Sequence, residues 1–562
     1  MSETSAKPGE EAVVAAPVDA AGQEKPAEAP AAAPAPPPAK PLWLGAIYVA
    51  SGLLMFIAQG MGMNIVNANL YQLQGEFSGT AAEVAWLSAA YMAPYATLSI
   101  ALFKIRAQYG LRPFAEWSII AFVLASLLNL FVNDLHSALV VRFISGCAAA
   151  PISSLGFLYV LEAFPVQKKL SEGLNIALMG TLLAAPLARM VSPTLLGIDG
   201  WRALYTLELG LAMVSMAIIY TLPLTPPPRA KVIERTDILS YLLMAAGIGC
   251  LAVFFSLGRL YWWFDTWWLG VVLACGVGFL CLTALVEVGR SNPMLDFAWL
   301  FSRDNLHLAG VLLVFRAVSS EQSSTAVSLY QQLGLLNDQQ FVLWTLVLLA
   351  SVLGALFCMV LMTSRYVETA HVIALALIAG GAFLDSQSSN LTRPEQMYLS
   401  QGMIAFGAAM FLPPVMAKGF GGALRKGLPY VVNFIAIFLF TQITGSMVMT
   451  AALGSFVTIR EKFHSNVLVE NILLTDPDVA QRVSQLSGAY GRVITDPAIL
   501  HAEGLSLLAQ QVTREAYVLA YNDTFLLISI VTAAALATLL VHLAWNRLRA
   551  LRQPEGEVST QP

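Results

Sequence analysis

The sequence predicts an all-α polytopic membrane protein with fourteen transmembrane helices. Its 562 residues are 57% hydrophobic and only 12% charged, whereas a soluble domain carries about 25% charged residues. After Pro41 the chain contains fourteen apolar segments, nearly all of them long enough to span a bilayer, which takes about 20 residues. These segments cover approximately 43–70, 84–105, 114–133, 138–163, 172–197, 202–222, 238–258, 267–288, 306–331, 341–363, 370–386, 397–417, 428–456 and 519–545.

The distribution of basic residues predicts the orientation of these helices. One set of short connections carries most of the Lys and Arg residues, whereas the opposite set carries only Arg202, Arg259 and Arg393. Because cytoplasmic loops carry the excess of positive charge, the basic set is predicted to be cytoplasmic. An even number of crossings then places both chain termini on the cytoplasmic side.

Three segments are predicted to lie outside the membrane. Residues 1–41 are rich in Ala, Pro and Glu, a composition that buries no core, so they are predicted to form a disordered cytoplasmic tail rather than a signal peptide. Residues 547–562 form a second cytoplasmic tail. Residues 457–518 form a long outer loop with mixed polar and helical patterns, which either contacts a partner or is a solvated connector.

Several classes of function are disfavoured by composition. The formal net charge of −4 gives no indication of a nucleic-acid partner. The five cysteines fall inside apolar segments without ligand spacing, which argues against disulfides or a metal site. No nucleotide-binding loop or nucleophile–base arrangement is recognisable, so neither an enzyme nor a cofactor is expected. The expected partners are the lipid bilayer and a small-molecule solute.

Among the charged side chains within the apolar segments, five are interpreted as lying deep in the membrane: Arg142, Arg189, Glu208, Arg316 and Glu321. A charge in the middle of a bilayer costs about 2.5–3.5 kcal/mol on insertion scales. Such residues persist where they face a wet cavity or a partner, so all five are interpreted as candidates for a substrate or proton pathway. The two glutamates are the candidate coupling acids, because a buried carboxylate can take up and release a proton.

Structural roles for the same residues stay open at this point. Arg142 could pair near the membrane interface. Arg189 could form an ion pair with Glu208 or Glu162 that only fixes helix packing, or a proline kink could carry it to the cytoplasmic funnel. An arginine with no fixed partner at this depth nevertheless favours a place in the cavity.

Two polar patterns complete the candidate pathway. Asn64 and Asn67 lie three residues apart on one helix face, where they either line the cavity or bond neighbouring helices. Arg316 and Glu321 point about 140° apart around their helix, so no direct pair is expected. The Ser, Gln and Thr residues around them predict a wettable ninth helix that faces the cavity or packs irregularly against its neighbours.

Motifs along residues 43–545 resemble one known family. They are NIVNANLYQL (64–73) in the first segment, RFISG (142–146) in the fourth, FPVQKK (164–169) in the following turn, GWR (200–202) before the sixth, NPMLDFAWLFSRDN (292–305) before the ninth, GSMVMTAALGSFVTIREKFH (445–464) and QQVTREAYVLAYNDTFLL (510–527). In order and spacing they resemble the major facilitator superfamily, and more closely its fourteen-helix drug:proton antiporters of the EmrB/QacA type.

The resemblance implies a division of the chain. It implies two six-helix bundles, 42–222 and 290–546, with two inserted helices in 223–289. Substrate would bind near the midplane, and the bundles would rock around it. The long outer loop is similar to that of Gram-negative members, which implies a bacterial inner membrane and work beside a periplasmic adaptor and an outer-membrane channel.

The sequence departs from this family at several motif positions. Gly62 stands where the family has its first-helix Asp, and Ala107 and Gln108 replace an Asp-Arg pair between helices two and three. Arg189 occupies part of the Gly-Pro motif of helix five, and Thr441 replaces the arginine of helix thirteen. The family's usual proton pathway and cationic substrates therefore do not carry over directly.

The leading hypothesis is an inner-membrane efflux transporter driven by the proton gradient. Three arginines against two deep acids favour anionic or zwitterionic solutes, such as amphipathic organic acids, over lipophilic cations. The first alternative is an uncoupled facilitator or importer, which the altered motifs allow. An alternative of another class is a membrane scaffold or sensor that does not transport.

Overall fold

The computed structural model describes residues 40–552, with gaps at 227–228, 230, 264, 291 and 365. Most of the predicted tail 1–41 and the last part of the predicted tail 547–562 lie outside the described residues. Within them the regular structure is helical and contains no strand, as the sequence predicts. The α-helices are α1 (Leu42–Ala68), α2 (Leu70–Glu76), α3 (Ala81–Tyr109), α4 (Leu111–Leu128), α5 (Leu135–Glu162), α6 (Leu174–Thr221), α7 (Arg235–Leu257), α8 (Trp267–Glu287), α9 (Phe297–Leu300), α10 (Arg303–Ser320), α11 (Ala326–Gln332), α12 (Phe341–Thr363), α13 (Val367–Asp385), α14 (Tyr398–Lys426), α15 (Leu428–Glu470), α16 (Pro477–Gly488) and α17 (Pro497–Arg552).

The number of membrane crossings agrees with the prediction of fourteen. Twelve described helices are long and apolar enough to cross a bilayer. One of them, α6, contains two crossing lengths, because Asp199 and Gly200 have non-helical backbone angles. The α10–α11 segment is not among the twelve because of its polar and charged residues, yet it continues through a π turn over residues 303–332. Counting both gives fourteen crossings.

The helices run up and down between two ends of the bundle, called here the near end, where α1 begins, and the far end, where α1 ends. Helix α5 runs antiparallel to α1, since Gly52 early in α1 packs against Gly156 late in α5. The first length of α6 runs parallel to α1, since Asn69 just after α1 bonds Ser192 of α6 at 2.9 Å. These directions bring residues far apart in sequence to the same depth.

A close approach of α3 and α5 sets the position of Arg142. A Cβ atom on Gly146 would lie only 2.2 Å from the carbonyl oxygen of Tyr91. Glycine therefore lets the two backbones touch, as small residues do in membrane helix pairs. Arg142 lies one turn before Gly146 on the same face, and its guanidinium carbon rests 4.3 Å from the Tyr91 ring centroid.

Helices α7 and α8 show where lipid must cover the protein. Helix α7 packs against α3 and α8. Only 17% of the apolar stretch of α8 is buried within the protein. An apolar helix surface of that extent is stable only in a hydrocarbon environment. The chain is a multi-pass membrane protein.

The segment 457–518, predicted as an outer loop, is largely helical. Helix α15 continues to Glu470, α17 already begins at Pro497, and α16 packs against α17. Asp523 ties the extension together, since it accepts a 2.6 Å hydrogen bond from Arg460 and lies 2.6 Å from His464 Nε2. Hydropathy marks only the length of a helix that lipid covers, and these helices continue beyond their apolar residues.

Candidate functional site

Arg142 and Glu208 meet at the backbone of Gly62. The Nη1 atom of Arg142 donates a 2.6 Å hydrogen bond to the Gly62 carbonyl. A Cβ atom on Gly62 would lie 2.6 Å from Oε1 of Glu208. Both charged side chains are only 2% exposed. Gly62, Tyr91, Arg142 and Glu208, called here the Gly62 cluster, join α1, α3, α5 and α6.

The Gly62 cluster contains opposite charges whose hydrogen bonding is incomplete. Nε of Arg142 and Oε2 of Glu208 have no hydrogen-bond partner among the described residues. A buried polar atom without a partner is costly, and its bond is normally completed by water, a ligand or a proton. The arrangement can therefore exchange a proton or hold a polar group of a solute.

The two predicted asparagines form local bonds. Asn64 donates its amide to the Gly60 carbonyl of its own helix at 2.8 Å. Asn67 accepts a 2.8 Å bond from the Ser88 hydroxyl of α3. Both are half-buried. In this conformation Asn67 bonds a neighbouring helix and Asn64 bonds its own.

Arg189 lies at the far end, where α1 and α6 meet the start of α12. Its Nη1 atom is 3.4 Å from Oδ1 of Asn337, and its guanidinium carbon is 5.0 Å from the Trp344 ring centroid. Asn337 donates its own amide to the Ala68 carbonyl at 2.9 Å and to Asn69 at 3.3 Å. These residues form what we call the far-end contact.

The ion pairs considered for Arg189 are not formed. Glu162 accepts a 2.8 Å bond from Lys40 instead, and Glu208 belongs to the Gly62 cluster. The sequence analysis missed both asparagines, since Asn69 lies one residue before the end of the predicted segment 43–70 and Asn337 lies between the predicted segments 306–331 and 341–363. An amide flanking the end of an apolar run was the only signal available for either residue.

Asn337→Ala is expected to loosen the far end. The substitution removes the amide that bonds α1 and orients Arg189. Losing about 1 kcal/mol of net hydrogen bonding increases the fraction of molecules whose far-end contact is broken about fivefold. The measurement is the labelling rate of Met190→Cys, placed in a background without the five native cysteines, by a membrane-impermeant maleimide. Unchanged labelling would show that Asn337 does not hold this end closed, and Asn390→Ala is the control at another far-end amide.

Arg316 and Glu321 diverge, as their spacing predicts. The side chain of Arg316 passes Gly445 of α15, its Cγ atom lying 3.6 Å from the position of a Cβ there. The Nε atom of Arg316 has no hydrogen-bond partner among the described residues. Arg316 is thus a half-buried cation between α10 and α15 that is available to an anion.

Glu321 lies beside a second acid that the sequence analysis missed. Nε2 of Gln401 donates to Oε1 of Glu321 at 3.0 Å and to Oδ2 of Asp385 at 2.7 Å. The hydroxyl of Ser400 donates to Asp385 as well. Glu321 and Asp385 are 0% and 1% exposed, and we call them the acid pair. Asp385 is the only charged residue in the predicted segment 370–386, and its place at the helix end concealed it.

A second group of charges, also missed, lies at the near end. Nζ of Lys104 is 3.0 Å from both carboxylate oxygens of Asp237. Arg290 donates to Asp237 at 2.7 Å, to Glu287 at 2.7 Å and to Glu234 at 2.9 Å. These five residues, the near-end charge cluster, link α3, α7 and α8 with the segment that precedes α10.

Gln108, at an altered motif position, lies beside this cluster. Its Oε1 atom accepts a 2.8 Å bond from the backbone N–H of Ile233. Close by, the backbone carbonyl of Asn292 accepts a 3.1 Å bond from Lys104. The side chain of Asn292 donates in turn to the carbonyl of Val232 at 3.1 Å. Hydrogen bonds between neutral groups and between charged groups therefore both stabilise the packing of the near end.

Known proteins resemble the chain in sequence. The uncharacterized MFS-type transporter YhcA of Bacillus subtilis is 22% identical over 450 residues, which cover 77% of this chain and 80% of YhcA. The multidrug export protein EmrB of Haemophilus influenzae is 24% identical over 190 residues, 33% of this chain and 36% of EmrB. The fatty acid resistance protein FarB of Neisseria gonorrhoeae is 25% identical over 193 residues, 34% and 37% of the two chains.

Solved structures share the fold. The POT family transporter PepTSo superimposes with a TM-score of 0.53 at 12% sequence identity, covering 89% of this chain and 99% of that one. At this identity the likeness concerns the fold alone. Residues 52–392, more than half of the chain, match the sequence profile of the Major Facilitator Superfamily. The protein belongs to the major facilitator superfamily of membrane transporters.

Proposed function

We propose that the protein is an inner-membrane efflux transporter that exchanges a solute for protons. The observation that carries this proposal is the carboxylate of Glu208 in the Gly62 cluster. The family resemblance implies an Asp on the first helix, and here Glu208 of α6 brings its carboxylate to the side of that position. An acid lost from one helix is thereby supplied by another, beside the cation Arg142.

The excess of basic residues in the near-end connections supports an orientation with the near end in the cytoplasm and the far end outside the inner membrane. Both chain termini are then cytoplasmic, and α15, α16 and α17 project outward. The resemblance to EmrB-type transporters supports a periplasmic adaptor and an outer-membrane channel as partners. We propose the far-end extension, residues 457–518, as the docking surface.

The proposed solutes are amphipathic organic acids. Asp385 brings the deep acids to three, so charge balance alone no longer favours anions. The argument instead rests on Arg316, a half-buried cation whose Nε atom has no hydrogen-bond partner among the described residues. The match to FarB, a protein named for fatty acid resistance, supports the same class.

The test is uptake into everted membrane vesicles with and without a pH gradient, for a panel of organic acids and lipophilic cations. Accumulation of acids that requires the gradient is the expected result. Uptake that does not depend on the pH gradient would favour the uncoupled facilitator. Uptake of lipophilic cations without uptake of organic acids would refute the proposed substrate class. A scaffold would transport neither, and the buried charges at mid-depth argue against it, since a scaffold has no need of them.

A further inference from the structure

The two acids of the pair are too close to be charged together. One oxygen of each acid accepts a hydrogen bond from the same amide nitrogen of Gln401, at 3.0 Å for Glu321 and 2.7 Å for Asp385, so the two carboxyl groups lie close together. Among the described residues no Lys, Arg or His pairs with either. Two carboxylates in such contact, both removed from water, cannot both be ionised. One proton must therefore reside on the pair.

The surroundings of the pair are neutral on every packed helix. Helix α14 contributes Ser400 and Gln401, and α13 contributes Asp385 itself. Tyr330 of α11 is the further titratable group that interacts with both acids. Around the neighbouring Val318, helices α13, α15 and α17 contribute apolar side chains. The charge of the pair thus depends on proton uptake rather than on a counter-ion.

Two buried polar atoms beside the pair remain unsatisfied. Oε2 of Glu321 has no hydrogen-bond partner among the described residues, and neither has the hydroxyl of Tyr330. Both side chains are fully buried. Native proteins rarely leave such atoms unpaired without a ligand, water or exchangeable proton to complete them.

A polar pocket reaches Asp385, one member of the pair, from the far end. Its volume is about 260 Å³, and Asp385 forms part of its wall together with Leu384, Gln387, Ser388, Ser389, Thr392, Gln396 and Met397. Gln387, Ser389 and Gln396 are exposed, so the pocket opens at the protein surface. Hydroxyl and amide groups line the route to Asp385, and such groups can support a chain of water molecules.

The α10–α11 segment is irregular at Glu321, one of the two acids of the pair. Glu321 is the first residue of a π turn, Glu321–Thr325, between α10 and α11. Such turns are frequent at functional sites. A change of charge on Glu321 therefore acts on the part of this helix where the backbone is already irregular.

We propose that the Glu321–Asp385 pair is a proton-binding site that is loaded from the far end through this pocket. A hydronium ion in the outer solvent supplies the proton. The water next to Asp385 gives one of its protons to an Asp385 oxygen, forming an O–H bond there, and receives a proton in turn from the solvent side of the water chain, so that each water stays neutral. The bound proton is shared with Glu321. The inference rests on the proposed proton-driven transport, for which it supplies the outer proton site.

The test uses the full-length protein in lipid bilayers and pH-difference infrared spectra of the carboxylic acid carbonyl band. In the wild type the pair should titrate as one coupled unit in two steps. Asp385→Asn and Glu321→Gln should each replace these steps by a single one, whereas Glu208→Gln should keep them. Asp385→Glu retains the acid and controls for folding. A spectrum unchanged in Asp385→Asn would overturn the site, and loss of the band on adding sodium would show a metal cation in place of the proton.

Uptake into vesicles separates this inference from the proposed function. If wild-type uptake needs the pH gradient and Asp385→Asn retains that dependence, the pair is not the outer proton site although the transporter is proton-driven. If wild-type uptake ignores the gradient, the proposed function fails, while the infrared spectra still show whether the pair binds a proton. Gradient-dependent uptake that is lost in Asp385→Asn and kept in Asp385→Glu is the expected result.

Discussion

Glu208→Gln is expected to reduce gradient-driven uptake to the level seen without a gradient. Glutamine has the shape of glutamate and can neither bind nor release a proton, so the substitution removes the proton-exchanging group and leaves the packing around Gly62 intact. The measurement is initial uptake into everted vesicles at a fixed pH gradient. Glu116→Gln is the control, since Glu116 forms a surface pair with Arg112 and such pairs contribute little.

The position of Glu208 allows a sharper version of the same experiment. Gly62→Asp alone should inactivate the protein, because its new Cβ would meet Oε1 of Glu208 at 2.6 Å and would set a second carboxylate beside the first. Gly62→Asp combined with Glu208→Asn removes that conflict and returns the acid to the first helix. Partial recovery of gradient-driven uptake is expected in the double variant.

Two outcomes would contradict this assignment. Glu208→Gln protein that still accumulates solute against its gradient would show that the coupling acid lies elsewhere, and the acid pair would be the next candidate. Gradient-driven uptake could also be lost equally in Gly62→Asp and in Gly62→Asp combined with Glu208→Asn, with melting temperatures like that of the wild type. That result would show that a carboxylate on α1 does not replace one on α6.

The sequence predicts the membrane fold well, because the bilayer imposes its thickness on every crossing helix. It also singles out Arg142, Glu208 and Glu321, since a charge inside an apolar run has few explanations. The sequence does not predict the contact between Arg142 and Gly62, which lies 80 residues earlier in the chain. Such contacts depend on helix direction and on the approach of Gly146 to Tyr91, which no local pattern contains.

Residues at helix ends were missed for a different physical reason. Asp385, Asn337 and Asp237 lie where an apolar run gives way to a connection, and polar side chains there are normally solvated. Only tertiary packing turns those positions into buried ones, at 1%, 8% and 3% exposure. The π turn at Glu321 was also hidden, since an irregular helix keeps the composition of a regular one.

Arg290→Met is expected to destabilise the protein by about 3–5 kcal/mol, the usual cost of breaking a buried ion pair by removing one partner. Arg290 has a side-chain exposure of 12%, and its partners Asp237 and Glu287 have 4% and 0%. Burial acts to lower the pKa of Arg290, but its bonds to Glu234 and Asp237 outweigh burial and raise that pKa. The guanidinium therefore stays charged. Its removal leaves the buried carboxylate of Glu287 without a cation at any pH near neutral, whereas Asp237 keeps Lys104.

Comparison with Lys104 makes the prediction specific. Lys104→Met also removes a buried cation, but Asp237 keeps its 2.7 Å bond to Arg290, so the loss of stability should be smaller. Unfolding in detergent micelles, followed by tryptophan fluorescence, measures both variants. Arg112→Met is the matched control, because the exposed pair of Arg112 with Glu116 four residues later contributes only about 0.3–0.5 kcal/mol.

Neutralising the stranded acid distinguishes lost charge pairing from lost packing. Arg290→Met together with Glu287→Gln should regain much of the stability, because an uncharged amide in the same place costs far less to bury than an unpaired carboxylate. A double variant as unstable as Arg290→Met alone would instead mean that the arginine stabilises the near end through its packing. Recovery would show that the cluster joins α3, α7 and α8 through its charges, across the connection that leads into α10.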